Sequence, residues 1–223
     1  MIKAILFDLD NTLIDFMKMK KKCCEAAIDA MIAAGLKMPR SKALKILYEQ
    51  YKKYGIEHQK IFQKFLKAIK NKIDYRIIAH GILAYRKIKE SYLVPYPNVI
   101  STLIELKKKY KLAIISDAPV VEAWTRLVAL KLDDFFDVVI TAGDVRKQKT
   151  YGAPFKAALR ALNIKPEEAL MVGDRISRDI LPAKKLNIKT CFARYGSREK
   201  IKKGKSGADY EINDIKDLLK LKL

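Results

Sequence analysis

Three cysteines in 223 residues are too few for a disulfide framework. Cys23 and Cys24 are adjacent and Cys191 stands alone, which also excludes the paired spacing of a structural zinc site. They read as small buried apolar residues, and the chain is expected to be cytoplasmic. Histidine is nearly absent as well. His58 and His80 are isolated on helical segments with no acidic or cysteine neighbour, so neither is expected to be a ligand. No apolar run reaches the roughly 18 residues that a membrane-spanning helix needs, and no membrane partner is expected. The opening residues Met1-Ile2-Lys3-Ala4-Ile5-Leu6-Phe7-Asp8 read as a first strand and not as a signal peptide. Strand patterning is missing from about residue 16 to residue 92, where every apolar repeat is helical.

Half of the residues are hydrophobic, as in an ordinary globular protein, and the net charge is +21. Nucleic-acid binding would require that charge to gather on one face. Here Lys and Arg are spread along the chain between apolar helical positions, the pattern of solvated helix faces, and nucleic acid is not expected as a partner. A positive field still draws in anions and raises their on-rate, which favours a phosphorylated small molecule.

Short apolar runs rich in β-branched residues recur at 2–7, 112–115, 138–140, 169–172 and 189–192. Near-continuous apolarity suits strands buried on both faces of a parallel sheet. Helical periodicity at 99–110, 120–130 and 154–162 supplies the flanking layers, the last with Pro154 at its start and Asn163 at its end. The fold class is therefore α/β, a Rossmann-like doubly wound parallel sheet. The strandless stretch predicts a second, all-helical domain of four helices at 17–34, 40–54, 57–70 and 74–90, with Gly35 and Gly55 as C-terminal caps. Val94-Pro95-Tyr96-Pro97-Asn98 reads as the return linker. The expected domains are a discontinuous core of residues 1–15 and 93–223 and a helical insertion of residues 16–92. The insertion follows the first strand, beside whose carboxyl end ligands bind in such sheets, and is a candidate lid.

Four segments carry chemistry. Phe7-Asp8-Leu9-Asp10-Asn11-Thr12-Leu13 follows the first strand, and Asp8 and Asp10, two apart in extended chain, point the same way. Two carboxylates facing one space repel, and a divalent cation such as magnesium relieves that penalty. Ile114-Ile115-Ser116-Asp117 offers the Ser116 hydroxyl and the backbone N–H of Asp117 to a phosphoryl oxygen. Lys149, in the loop before a helix, would neutralise phosphate and nucleophile, with Arg146 and Lys147 as rivals for that role. Met171-Val172-Gly173-Asp174 turns off a strand and places Asp174 at the sheet edge, with Asp179 five residues on. A bound cation is the simplest account of so many carboxylates drawn together.

The chain resembles the haloacid dehalogenase superfamily, in the subfamily with a helical, C1-type cap inserted after the first motif. The resemblance rests on Asp8-Leu9-Asp10-Asn11-Thr12, Ser116, Lys149 and Gly173-Asp174-Arg175-Ile176-Ser177-Arg178-Asp179, in that order, and spans nearly the whole chain. Thr150 stands where a proline often follows the lysine, although the offset to Phe155 matches. The resemblance implies that Asp8 attacks phosphorus to give an aspartyl-phosphate, and that Asp10 protonates the leaving alcohol and then activates water. It implies magnesium held by Asp8, the backbone carbonyl of Asp10, Asp174 and, in support, Asp179. Thr12, Ser116, Asp117 and Lys149 would position the phosphoryl group.

Asp10 points to the phosphatase branch, since the dehalogenases lack that second aspartate and need no metal. The expected activity is magnesium-dependent hydrolysis of a small phosphorylated metabolite by a monomer or homodimer. The alternatives are a 2-haloacid dehalogenase-type hydrolase and a non-catalytic basic nucleic-acid-binding protein. One decoy is set aside: Gly204-Lys205-Ser206 looks like the end of a P-loop, but position 199 is Glu199 and no strand leads into it.

Overall fold

The computed structural model describes residues 1–69 and 72–223. The chain folds as two compact units, Met1–Asp15 with Val94–Leu223, and Phe16–Leu93.

The first unit is built on a parallel sheet. Strand β1 (Ala4–Phe7) is central because its four side chains are all buried. The chain leaves β1, returns into helix α5 (Val99–Lys107) and enters β2 (Lys111–Ser116). Helix α6 (Val120–Ala129) and strand β3 (Val138–Thr141) follow, then the short α7 (Ala142–Val145) and α8 (Ala153–Leu162). Strand β4 (Ala169–Gly173), the one-turn α9 (Leu181–Lys184), β5 (Lys189–Ala193) and β6 (Tyr210–Ile212) complete it. The strand order is β3-β2-β1-β4-β5-β6, so successive additions run first to one side of β1 and then to the other. The reversal falls between β1 and β4, and a crevice opens at such a switch point outside the carboxyl ends of the strands. Register levels those ends: Phe7 lies opposite Ile114 of β2 and Val172 of β4.

Helix α8 shows how local sequence fixes an element here. Gly152, at φ +74°, admits the chain and Pro154 occupies the first turn, where its missing N–H costs nothing. Asn163, left-handed at φ +53°, ends it. The inward stripe of Phe155, Ala158, Leu159 and Leu162 packs on Ala4, Leu6, Ala113, Ile115 and Met171 of the sheet.

The second unit contains helices α1 (Phe16–Ala33), α2 (Arg40–Tyr54), α3 (Ile61–Ala68) and α4 (Tyr75–Tyr92) among the described residues. Its core joins Cys24, Ile28 and Met31 of α1 with Leu47, Phe65, Ile77 and Ile78. A Cβ on Gly81 of α4 would come within 2.8 Å of Met31 Cγ, so glycine sets how closely α1 and α4 pack. Burial pushes the Cys23 and Cys24 thiols up, to about 12 and about 11, which leaves both as protonated apolar side chains. Lys20 is buried among aromatic rings, its Nζ 2.9 Å from the Tyr85 hydroxyl and 4.2 Å from the centre of the Tyr51 ring.

Two points differ from the sequence reading. The third helix begins at Ile61, not Glu57, because residues 57–60 form turns in which His58 Nδ1 accepts the Lys60 N–H; the far end of that expected helix, at Lys70, lies outside the described residues. A sixth strand, β6, pairs with β5 although its Tyr-Glu-Ile sequence is too short and polar to stand out. Asp179 lies near the start of α9, as its place in the sequence suggests, within a wide π-turn, Ile176–Ile180, that leads into that helix. The P-loop decoy has its own explanation. The N–H groups of Gly204 and Ser206 do cradle an anion, and that anion is the Glu211 carboxylate, at 2.9 and 3.2 Å. Those donors, with the Ser206 hydroxyl and Arg194, outweigh the effect of burial and hold Glu211 down at about 2.

Phe155→Ala should remove about 3–5 kcal/mol of stability, a cavity cost at a fully buried ring in the helix–sheet interface. Urea unfolding followed by circular dichroism reads the loss; a change under about 1 kcal/mol would show that α8 is not anchored there.

Candidate active site

Asp8 is the first residue past β1, and its N–H still bonds to Val172 O at 2.9 Å, so the sheet ladder itself fixes its backbone. The chain then turns tightly: Asn11 adopts φ +63° and its N–H bonds to Ile14 O at 2.7 Å. That turn brings Thr12 back, and its hydroxyl donates to Asp8 Oδ2 at 3.2 Å. The turn is braced from the loop after β5, where the Tyr195 hydroxyl donates to Thr12 O at 2.7 Å. Gly196 lies so close that a Cβ there would sit 1.5 Å from Asn11 O. Sequence reasoning missed both residues, since nothing local marks a loop glycine as the neighbour of a segment 185 positions away.

Lys149 is buried and reaches the same point. Its Nζ donates to Asp8 Oδ1 and, at 2.5 Å, to Asp179 Oδ1. Arg146 and Lys147, its rivals in sequence, are exposed. Asp117 explains how the lysine loop is held, since its carboxylate accepts the Lys149 N–H at 2.9 Å and an Arg178 N–H at 3.1 Å. One aspartate thus ties three segments together. Its side chain is engaged with protein groups, so any hold on substrate falls to its backbone. Ser116 is buried, with its Oγ accepting the Ala118 N–H at 3.1 Å.

Asp174 and Asp179 complete the pocket. Gly173 is required here because a Cβ would fall 2.4 Å from the Asp179 side chain. Asp179 Oδ2 accepts the Arg175 N–H at 3.0 Å. Asp8, Asp174 and Asp179 each offer an oxygen, and these lie within 4.8 Å of one another. The Asp10 carboxylate is not part of that cluster. It pairs instead with Arg126, whose Nη1 lies 2.8 Å from Asp10 Oδ2. Sequence reasoning missed Arg126 too, although a signal was available: it stands between Ala123 and Leu127 on the buried stripe of an amphipathic helix.

Burial raises the Asp8 carboxyl from its ordinary 3.8 to about 7, against the pull of Lys149. Burial and the charges of Asp8 and Asp179 raise Asp174 further, to about 9. For Lys149 burial works the other way, yet Asp179, Asp8 and Asp117 outweigh it and hold the ammonium above its usual range. The donor set fits a small hard cation. It is made of carboxylates, and Asp174 Oδ1 is buried without a hydrogen-bond partner in the protein.

The comparisons agree with this geometry. The family model of haloacid dehalogenase-like hydrolases matches residues 5–193. Among curated proteins, the glyceraldehyde 3-phosphate phosphatase of Pyrococcus furiosus is 36% identical, covering 99% of this chain and 92% of its own. The protein of the same name from Methanocaldococcus jannaschii is 37% identical, covering 98% and 96%. Among solved structures, a haloacid dehalogenase-type phosphatase from Thermococcus onnurineus superposes with a TM-score of 0.72 at 27% identity, covering 98% and 97%. The chain belongs to the haloacid dehalogenase-like hydrolases. Within that family it is a phosphoric monoester hydrolase.

The raised pKa values have a sign that can be tested. Asp8 and Asp174 keep protons in the folded, metal-free protein at pH values where the unfolded chain has lost them. The stability they contribute is complete below the ordinary 3.8 and is lost as pH rises through about 7 and then about 9. Chelator-treated protein should therefore show a Tm that falls across this window, and Asp174→Asn, which cannot ionise, should flatten the fall. A Tm that climbs steadily over the same range would contradict the assignment.

Proposed function

We propose that this chain is a magnesium-dependent phosphatase that hydrolyses a small phosphorylated metabolite through an aspartyl-phosphate on Asp8. The observation that carries the reading is the buried convergence of Asp8, Lys149, Asp174 and Asp179 at the switch point of the sheet. Thr12 and Lys149 hold the two oxygens of Asp8, fixing its plane while leaving a lone pair on each. One of those oxygens attacks phosphorus as the bond from phosphorus to the ester oxygen breaks. The leaving alkoxide takes a proton from Asp10. Asp10 then accepts a proton from water, which attacks the acyl phosphate and frees phosphate and Asp8.

Asp8, the backbone carbonyl of Asp10 and Asp174, with Asp179 in support, would hold magnesium. When bound, that ion neutralises the carboxylates and the phosphoryl oxygens. Lys149 adds positive charge to the same oxygens, and Ser116 with the N–H of Asp117 orients them. In this reading the helical insertion serves as the cap that sets specificity. Among substrates, glyceraldehyde 3-phosphate is the first to test, because relatives 36% and 37% identical carry that name. The chain's location in this proposal is the cytoplasm.

Asp8→Asn and Asp10→Asn should each lower kcat by about 10³-fold or more with folding intact. Dialysis against a chelator should abolish phosphate release, and magnesium should restore it. Assays of released phosphate on a panel of phosphorylated metabolites check all three; near-normal activity in Asp8→Asn would end the proposal.

A further inference from the structure

Among the described residues Arg126 is the largest fully buried side chain, on a face of α6 otherwise made of residues such as Ala123 and Leu127. An apolar side chain there would avoid a heavy desolvation cost, and a buried ion pair often gives no net stability over hydrophobic packing. Stability alone therefore does not explain the arginine.

Its geometry does. The Nη1 of Arg126 lies 2.8 Å from Oδ2 of Asp10, with 2% of the arginine side chain exposed against 21% of the aspartate. The guanidinium is the more buried partner, and Asp10 is the one of the two that keeps some exposure. For a group proposed to transfer protons, such a fixed partner matters. Asp10 lies two residues beyond Asp8, at the start of a turn through left-handed Asn11, and the guanidinium gives its carboxylate a fixed, buried anchor. A guanidinium is suited to this because it is planar and permanently charged, so it can hold a proton-transferring carboxylate without joining the transfer.

We infer that Arg126 is the positioning residue of Asp10, aiming its carboxylate at the leaving oxygen during transfer to Asp8. The inference rests on the phosphatase reading given above. Arg126 is placed against the carboxylate of Asp10 and outside the oxygen cluster of Asp8, Asp174 and Asp179, so it acts on the reaction through Asp10.

That routing has two consequences that a merely structural arginine would not produce. First, loss of Arg126 should matter in proportion to how much the leaving group needs a proton. For Arg126→Met, kcat/KM on an alkyl ester such as glycerol 3-phosphate should fall about 10–100-fold, part of what a general acid supplies. On p-nitrophenyl phosphate, whose phenolate leaves unaided, the fall should stay under about 3-fold, and Arg126→Lys should recover part of the alkyl activity. Second, in an Asp10→Asn background Arg126→Met should add less than about 2-fold, because its route is already cut.

Equal losses on both esters, a full multiplicative loss in the double variant, or no loss at all would overturn the inference. Thermal unfolding of each variant shows whether it folds, and if Arg126→Met does not, the ester comparison on Arg126→Lys decides. The phosphatase reading fails separately: wild-type protein would then release no phosphate from either ester, or Asp8→Asn would release it normally.

Discussion

A lysine ammonium set between two buried carboxylates organises the first unit. Lys149 neutralises part of a charge cluster in which Asp8, Asp174 and Asp179 come together out of water. Uncompensated, such a cluster would be too costly to form. Even with the lysine it remains unfinished, since burial lifts Asp8 and Asp174 far above the carboxylate range and one Asp174 oxygen finds no partner. A site that protein groups satisfy only in part is ready for a ligand that brings positive charge, and then for an anion that the ligand attracts.

Much of the remaining structure serves to hold that cluster. The level ends of β1, β2 and β4 bring Asp8, Ser116 and Asp174 to one edge. Two glycines permit approaches no other residue allows, Gly173 to Asp179 and Gly196 to Asn11. Asp117 fastens the lysine loop to the π-turn, and Tyr195 fastens the motif-one turn to the loop after β5. The two glycines, Tyr195 and the Asp117 carboxylate have no part in the proposed chemistry. They remove freedom from those that do, and this is how loops come to hold reactive atoms to within a fraction of an ångström.

The excess of positive charge fits the same account. The Lys and Arg residues that give the chain its +21 are distributed widely, and a few of them are drawn inward for particular tasks: Lys149 to the carboxylates, Arg126 to Asp10, Lys20 to the aromatic rings of the helical unit. The rest set a positive field suited to an anionic metabolite.

Strands, helices and the aspartates that gather in the pocket were legible in the sequence because each has a local cause. Apolar runs of β-branched residues mark strands buried on both faces, helical periodicity marks the layers on either side, and an aspartate directly after a strand marks its carboxyl end; the Asp10 carboxylate, expected to point with that of Asp8, lies outside the cluster instead. The burial that separates Lys149 from its exposed rivals Arg146 and Lys147, the brace of Tyr195 and Gly196, the pairing of β6 and the partnership of Arg126 with Asp10 were not legible. Each depends on residues far apart in the chain meeting at one place, and no window of sequence contains that meeting. What composition and spacing determined alone was which groups were available and how each short segment bends. Which of them share a pocket, and so which charges must be balanced and by whom, was decided only when the parallel sheet brought its strand ends level.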